Sequence, residues 1–477
     1  MRCRAHHAQQ ECDSLRSAAP VGGLGYPRGN TVGDDAGHAG ERHARDRRPD
    51  PPRGDRCRWL GGSRYLRRSQ QTRRTSPRLS ARSKNDGLGR VREYILCLVA
   101  AAAVTYLLTP LARELAKKWK VMAPVRDRDV HDTPTPLLGG LAMVGGLLAG
   151  GILASKLPMM SAVFDSGRTP LALLSGVAII VALGVVDDKW GLDAPTKLAG
   201  QVLAAGVMAF QGIAIIWLPI GGTFVLDPVT SVLFTVLIVV ISINAINFVD
   251  GLDGLAAGIV LVAAGAFFGY AYLLSVESGL DRATLATLVS VLLVGMTVGF
   301  LPHNYTRARI FMGDTGSMLL GLLLAAGTIT LSGQVDPSAL TTGALLPTLL
   351  PIALPVAVMA IPLVDLFLAV IRRTRAGRNP FAPDKQHLHH RLLEMGHSQD
   401  RAVLLMYAWT GLVAGTAVAV AFVPWPYAAG GFIVGLGALL WLVRRPSKSM
   451  GAEGSTEHTG ADVRPLRAAD GRDSSLG

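Results

Sequence analysis

The sequence predicts an all-α polytopic membrane protein, and three observations support that prediction. Half of the 477 residues are apolar, and only 17% are charged. A helix needs about 20 mostly apolar residues to cross the hydrocarbon core of a bilayer, and such runs recur along the chain after residue 90. Lys and Arg concentrate in alternate loops between these runs. Together these features predict about eleven transmembrane helices.

The predicted spans follow one another at short intervals. They cover approximately residues 93–112, 137–155, 170–186, 197–216, 228–246, 254–274, 283–302, 316–331, 344–371, 402–422 and 425–443. The ninth run is the longest and contains Pro347, Pro351, Pro355 and Pro362. Because proline removes a backbone donor and clashes with the preceding turn, we expect this span to be kinked or broken.

The charge of the short loops predicts the orientation. The loops after spans one, three, five, seven and nine hold seventeen Lys and Arg residues, whereas the loops on the other side hold only Lys156, Arg168 and Arg282. Cytoplasmic loops carry the excess of basic residues in membrane proteins. The sequence therefore predicts that the N-terminus of span one is outside and that the C-terminus is cytoplasmic.

Residues 1–90 form a separate basic segment. They hold twenty Lys and Arg against nine Asp and Glu, and so carry most of the net charge of +13. A segment rich in Arg, Gly, Pro and Ser without apolar periodicity is expected to be disordered. A basic arm could bind anionic lipid or nucleic acid, but a misassigned translation start, with the chain beginning near Val91, is the simpler interpretation. We expect a transmembrane phosphotransferase domain at residues 91–445 and a disordered cytoplasmic tail at residues 446–477.

The cysteine pattern limits the chemistry. Three cysteines, Cys3, Cys12 and Cys57, lie in the basic segment, and Cys97 lies in span one. This distribution provides neither a disulfide framework nor a cysteine-type zinc site. Any metal must therefore use oxygen or imidazole ligands.

Four polar motifs lie at the ends of predicted spans, all on the predicted cytoplasmic side. They are Asp187-Asp188, Asn244-Ala-Ile-Asn247-Phe-Val-Asp250-Gly-Leu-Asp253-Gly, Phe311-Met-Gly-Asp314-Thr-Gly and His387-Leu-His389-His390-Arg391. A transporter or lipid-linked-sugar flippase would place charges near mid-membrane and show internal repeats, and the sequence shows neither. Carboxylates gathered at one interface indicate a metal site that faces one aqueous compartment.

Each motif also has a simpler structural explanation. The Asp pair could solvate a helix end, Asp253 and Asp314 could cap helices, and Phe311 could anchor the chain at the lipid interface. Capping accounts for one Asp of the second motif and not for its four polar residues together. If residues 250–254 are helical, the carboxylates of Asp250 and Asp253 share one helix face. If these residues form a loop, the two glycines of the motif allow tight turns.

The histidine motif has two further explanations besides solvated loop residues. A zinc site there lacks a nearby Cys or a recognised helical spacing. Its basic neighbours favour diphosphate or nucleotide binding instead. Together, the four motifs predict phosphoryl chemistry at a membrane surface, with carboxylates for a divalent cation, a basic cluster for phosphates and an aromatic side chain that could hold a base.

In this order, the four motifs resemble those of the polyprenyl-phosphate N-acetylhexosamine-1-phosphate transferases, and the resemblance covers residues 92–443. The form His387-Leu-His389-His390 is similar to the branch that transfers N-acetylglucosamine-1-phosphate, whereas phospho-N-acetylmuramoyl-pentapeptide transferases have three consecutive His followed by an acidic residue. The resemblance implies transfer from UDP-GlcNAc to a polyprenyl phosphate, with release of UMP, at the cytoplasmic face of the plasma membrane. The alternative is the same chemistry with another UDP-N-acetylhexosamine or with UDP-MurNAc-pentapeptide.

The resemblance also implies roles for individual residues. Asp314, helped by Asp187, would hold Mg²⁺, with Mn²⁺ as an alternative ion, and Asp188 would deprotonate or position the lipid phosphate. Asp253 and Phe311 would hold uracil. The residues expected to complete these sites are Asn247 and Asp250 at the uracil pocket, Asn244 at the substrate, Lys197 at the lipid phosphate, and His387, His389, His390 and Arg391 at the diphosphate or the sugar. No nucleic-acid partner is implied, and a homodimer is one expected form of assembly.

Overall fold

A computed structural model describes most of the membrane domain. The described residues are 77–123, 134–165, 168–218, 224–277, 284–332, 371–372, 374–375, 377, 392 and 394–445. Within them the chain forms eleven helices and one small antiparallel sheet. The helices are α1 (Pro77–Trp119), α2 (Gly139–Lys156), α3 (Ser161–Asp165), α4 (Thr169–Trp190), α5 (Ala194–Phe210), α6 (Pro228–Val249), α7 (Leu255–Glu277), α8 (Thr284–Asn304), α9 (Gly313–Ser332), α10 (Gln399–Phe422) and α11 (Trp425–Arg444), and the strands are β1 (Trp217–Leu218) and β2 (Phe224–Val225).

Within the described ranges, nine helices are long and apolar enough to cross a membrane: α1, α2, α4 and α6 to α11. They coincide with predicted spans one to three, five to eight, ten and eleven, which confirms a mostly helical protein with many membrane-spanning segments. Predicted span four is α5, which has 17 residues and ends at Phe210 rather than at residue 216. Gly212, with φ of 111°, turns the chain there toward β1. Predicted span nine lies outside the described residues.

The helix that contains span one is longer than the sequence predicts. It begins at Pro77, so it includes the last part of the segment that was predicted to be disordered. Proline is favoured at the first helical position because its missing N–H would have no partner there. Extension of an existing helix also avoids the cost of nucleation, which explains why a polar segment can continue the apolar span.

Helix α9 occupies the centre of the described helices. Every residue from Thr315 to Ser332 is buried, and so is Gly313, whereas Asp314 is partly exposed. Around it pack α2, α4, α6, α7 and α8. A helix enclosed by neighbours on all sides is held in position by them. The first turn of α9 is therefore fixed relative to the end of α4, which carries Asp187 and Asp188, and to the end of α6, which Asp250 follows.

Glycines allow the neighbouring backbones to approach α9 closely. A Cβ added to Gly140 of α2 would lie 2.6 Å from Gly316 Cα, and one added to Gly184 of α4 would meet Thr315 Cα. The backbone N–H groups of Gly139 and Gly140 donate to Phe311 O at 3.0 Å and Met312 O at 2.9 Å. Small residues permit such close helix packing in membranes. This contact seats the segment that precedes α9 against the start of α2.

We expect Gly140→Ala to lower the free energy of unfolding by about 1–3 kcal/mol, because the new methyl group would overlap backbone that cannot yield easily. Gly151→Ala, on the same helix, is the control, since no heavy atom lies within 4 Å of its added Cβ. The measurement is the thermal unfolding midpoint of each purified variant in detergent. Equal midpoints for the two variants would contradict the close contact between α2 and α9.

Candidate active site at the start of α9

The Asp188 side chain caps α9. Its Oδ1 accepts a hydrogen bond from Asp314 N at 2.7 Å, and its Oδ2 accepts from Thr315 N at 3.2 Å and from Thr315 Oγ1 at 2.6 Å. The first N–H groups of a helix have no partner within the helix, and a carboxylate also stabilises the positive end of its dipole. Gly313 precedes this turn with φ of 69°, and a Cβ there would lie 2.5 Å from Asp188 Oδ2. Glycine is therefore needed for the carboxylate to reach α9.

Because Asp188 caps α9, the Asp314 carboxylate is available for contacts with other helices. Asn247 Nδ2 donates to Asp314 Oδ1 at 2.7 Å and lies 2.9 Å from Ser317 Oγ. Lys197 Nζ donates to Asp314 Oδ2 at 2.7 Å. The end of α6 and the start of α5 thus meet at one carboxylate in the first turn of α9.

Asp187 lies against the same lysine. Its Oδ2 is 2.5 Å from Lys197 Nζ, and its Oδ1 accepts from Leu192 N at 2.7 Å. The Asp187 side chain is only 2% exposed. Gly191, with φ of 69°, reverses the chain directly after α4 and brings the start of α5 back onto this carboxylate. Lys197 therefore bridges Asp187 and Asp314, the two residues predicted to hold a metal.

Asp250 lies in a loop rather than in a helix. Helix α6 ends at Val249, residues 250–254 form turns, and Gly254 has φ of 72°. Burial raises the pKa of the Asp250 carboxyl to about 8, with further contributions from the negative charges of Asp314, Asp188 and Asp253. The cluster thus carries more negative charge than Lys197 alone neutralises.

The donor set fits a hard divalent cation completed by other ligands. Among the described residues no group of three or more His, Cys, Asp or Glu side chains is arranged to hold a metal ion by itself. Asp187 and Asp314 instead share the ammonium group of Lys197. Mg²⁺ usually binds one or two carboxylates together with water and substrate phosphates. Asp187 and Asp314 supply two carboxylates of this kind, and Lys197 lies between them.

A second group of contacts joins the loop after α6 to the loop before α9. Asp253 Oδ2 accepts from Ala308 N at 2.9 Å. Asn304 Oδ1 accepts from Gly254 N at 3.1 Å, and Asn304 Nδ2 donates to Ile310 O at 3.0 Å. Phe311, which is partly buried, follows directly and donates its N–H to Pro136 O at 2.9 Å. The two residues predicted to hold uracil, Asp253 and Phe311, therefore belong to one hydrogen-bonded pair of loops.

Three contributing residues were missed by the sequence analysis. Asn304 lies two residues after a predicted span, and nothing in its sequence position indicates that it joins two loops. Tyr407 of α10 donates its hydroxyl to Gly254 O at 2.6 Å. Gln201 accepts from Asn244 Nδ2 at 2.6 Å and lies 3.6 Å from Met318 Sδ. Gln201 could have been found, because it lies four residues after Lys197 and so shares a helix face with it.

Asn244 connects α5 to α6 through Gln201, and its Nδ2 also donates to Val240 O at 2.8 Å. Its predicted contact with substrate stays a prediction. The four residues of the histidine motif, His387, His389, His390 and Arg391, lie outside the described residues. Their predicted contact with the diphosphate or the sugar also stays a prediction.

The raised pKa of Asp250 gives a testable dependence of stability on pH. An acid whose pKa is about 8 in the folded state and roughly 3.9 in the unfolded state binds its proton more tightly when folded. Its contribution to stability is therefore complete below the unfolded pKa and is lost as pH rises through the folded pKa. We expect the free energy of unfolding of metal-free protein to fall between about pH 4 and pH 8.

Asp250→Asn isolates this contribution, because the amide cannot ionise. The measurement is chemical unfolding in detergent with a metal chelator, from pH 5 to pH 9, for the native protein and the variant. The variant should lose stability less steeply than the native protein over this range. Parallel pH profiles would show that Asp250 titrates normally.

The chain is similar to known proteins over the region that contains this site. The model of glycosyl transferase family 4 matches residues 170–332, which include all four carboxylates around α9 and the Asp253 loop. A decaprenyl-phosphate N-acetylglucosaminephosphotransferase of Mycobacterium tuberculosis is 47% identical over 367 residues, covering 74% of this chain and 90% of the relative.

Two further relatives are more distant. A probable undecaprenyl-phosphate N-acetylglucosaminyl 1-phosphate transferase of Bacillus subtilis is 32% identical over 67% of this chain and 82% of its own length. A phospho-N-acetylmuramoyl-pentapeptide-transferase of Mycolicibacterium smegmatis is 31% identical over 70% of this chain and 99% of its own length. Since the alignments span 82–99% of these relatives and the family model covers the carboxylate cluster, the chain belongs to glycosyl transferase family 4, the polyprenyl-phosphate N-acetylhexosamine-1-phosphate transferases that its motifs resemble.

Proposed function

We propose that this protein transfers N-acetylglucosamine-1-phosphate from UDP-GlcNAc to a polyprenyl phosphate and releases UMP. The observation that carries the proposal is the convergence of Asp187, Lys197 and Asp314 at the start of the buried helix α9. The same chain is 47% identical to a relative named for transfer of this sugar phosphate to decaprenyl phosphate. The chain is only 31% identical to a phospho-N-acetylmuramoyl-pentapeptide-transferase. The lower identity makes UDP-MurNAc-pentapeptide the less favoured donor.

The reaction brings two polyanions together, so the site must offset their repulsion. Asp314 and Asp187 would hold Mg²⁺, with Mn²⁺ as an alternative ion. A bound Mg²⁺ supplies Lewis-acid charge neutralisation for the diphosphate and for the leaving UMP. Lys197 holds the carboxylates of Asp187 and Asp314 close together, and its ammonium group would add positive charge at the binding site of the substrate phosphates.

Asp188 acts as a positioning residue in this proposal. Both of its carboxylate oxygens already accept hydrogen bonds from the first turn of α9. A phosphate monoester is largely ionised near neutral pH, so the acceptor needs orientation more than it needs a base. By fixing the first turn of α9, Asp188 directs the Asp314 carboxylate toward Lys197 and Asn247.

The loops joined by Asp253 and Asn304 would hold the uracil of the donor. Phe311 lies at the end of one loop, and stacking of a base on such a ring contributes about 1–3 kcal/mol. Asn247 and Asp250 would shape the neighbouring wall of this pocket. The histidine motif would contact the diphosphate or the sugar from its own loop.

We also propose eleven transmembrane helices, with the N-terminus of the first outside, the C-terminus cytoplasmic and the active site at the cytoplasmic face of the plasma membrane. The contacts among the end of α4, the start of α5, the end of α6 and the start of α9 support one shared face, because all four helix ends meet at Asp314 or at its immediate neighbours. The concentration of Lys and Arg in the loops of that face supports its cytoplasmic side.

The proposal is tested with membranes that contain the full chain, added polyprenyl phosphate and radiolabelled UDP-GlcNAc. Chloroform-soluble label and stoichiometric UMP, both requiring Mg²⁺ or Mn²⁺, are the expected products. UDP-GalNAc and UDP-MurNAc-pentapeptide are run in parallel. Transfer from one of them, and not from UDP-GlcNAc, would support the proposed reaction and reject UDP-GlcNAc as its donor.

We expect Asp314→Asn to lower turnover by at least about a hundredfold, because it removes a negative charge at which the metal and Lys197 converge. Asp227→Asn is the matched control. Asp227 caps α6, where its Oδ2 accepts from Val229 N and Thr230 N at 3.1 Å each, and Asn caps a helix about as well. The measurement is the initial rate of lipid labelling at saturating substrates. Retained activity of Asp314→Asn would remove this residue from the metal site.

A further inference from the structure

A small cavity with a basic lining lies where α1 meets the end of α8. It has a volume of about 190 Å³ and is lined by Thr109, Pro110, Arg113, His303, Arg309 and Ile310. None of the carboxylates of the candidate active site is among the lining residues. The cavity is therefore lined by other residues than those of the cluster at the start of α9.

The lining carries positive charge that the described residues leave incompletely paired. Arg113 Nε is buried, and within the described part of the chain it has no hydrogen-bond partner. Its neighbour on α1, Glu114, pairs instead with Lys117 at 2.7 Å. A buried guanidinium N–H without an acceptor is unfavourable. An anion in the cavity would supply that acceptor.

The other two basic residues are held at the cavity by backbone contacts. His303 Nε2 lies 3.2 Å from Tyr106 O, and the rings of these two residues are 4.7 Å apart. Arg309 N donates to His303 O at 3.0 Å. These contacts fix the end of α8 and the backbone at Arg309 against α1, so the cavity is preformed rather than assembled by a ligand.

We propose that this cavity binds the phosphate group of an anionic phospholipid. Arginine presents a planar fork of donors that matches phosphate oxygens, and the cavity has two such side chains. Arg113 follows predicted span one, and Arg309 follows predicted span seven, so both lie at the expected depth of lipid headgroups. The binding site does not depend on the reaction proposed above.

The surroundings favour a lipid over a free phosphate ion. Pro110 and Ile310 form an apolar part of the lining. Leu107 and Leu111, which flank Pro110 on α1, are 66% and 64% exposed. The acyl chains of a lipid whose phosphate lies in the cavity would run beside these side chains in the bilayer and contact the apolar part of the lining, whereas a free phosphate gains nothing from apolar contacts.

Binding at this cavity also has a structural consequence for the loop before α9. Arg309 and Ile310 precede Phe311, and Ile310 O accepts from Asn304 Nδ2 at 3.0 Å. A phosphate held between Arg113 and Arg309 would tie this loop to α1. A lipid bound at the protein surface would thus stabilise the segment that leads into the candidate nucleotide pocket.

The test measures lipid binding to the purified full chain in detergent by native mass spectrometry. Phosphatidylglycerol and phosphatidylcholine are titrated separately, and inorganic phosphate is added as a competitor. The double variant Arg113→Gln, Arg309→Gln is compared with Lys118→Gln, which removes an exposed charge at the same end of α1. We expect the double variant to bind phosphatidylglycerol about tenfold or more weakly, since charge-assisted hydrogen bonds are lost, and the control to bind like the native protein.

Three outcomes would overturn the proposal. They are unchanged affinity of the double variant, equal affinity of the native protein for the two lipids, and binding of inorganic phosphate without preference for phosphatidylglycerol, which would assign the site to a free ion. If the glutamine variant does not fold, Arg113→Lys replaces it. Lysine keeps the charge and loses the fork, so affinity for phosphatidylglycerol should fall several-fold, and unchanged affinity would again reject the site.

Discussion

The hydrogen bonds from the first turn of α9 to Asp188 are the interaction on which the site depends. They connect the end of α4 to the most buried helix of the described structure, and they satisfy N–H groups that the helix cannot satisfy itself. With this carboxylate in the capping position, Asp314 is free to meet Lys197 and Asn247. The cap therefore gives Asp188 a structural role and leaves the Asp314 carboxylate available to the site.

The balance of charge around that turn explains why the site suits phosphate chemistry. Asp187, Asp188, Asp250 and Asp314 lie close enough to influence one another, and one lysine lies between two of them. In the proposed reaction, this excess negative charge would attract a divalent cation, and the polyanionic substrate would be bound through that cation rather than repelled by the carboxylates. Glycines at 184 and 313 permit the close backbone approach that keeps these groups together.

Much of this arrangement could be predicted from the sequence, because its signals are local. Apolar runs of about 20 residues identify spans without any knowledge of their neighbours, and nine of the described helices match them. The motifs identified the carboxylates and Asn247, and the family resemblance added Lys197. The shortened α5 was missed because the apolar run continues past Gln211, although Gly212 turns the backbone away from the helix. Asn304 and Tyr407 were missed because both bind the backbone of Gly254, which is distant from each of them in sequence.

By itself, the sequence determined the class of protein, the approximate position of most spans and the residue types available for a divalent cation, since hydropathy, charge bias and motif spacing are properties of neighbouring residues. Only the tertiary structure decided that Asp188 caps α9, that Lys197 bridges Asp187 and Asp314, and that residues 250–254 form a loop pinned by Asn304 and Tyr407. Each of these contacts joins different helices. Their geometry depends on how closely the glycine-lined backbones pack around α9, which no local pattern specifies.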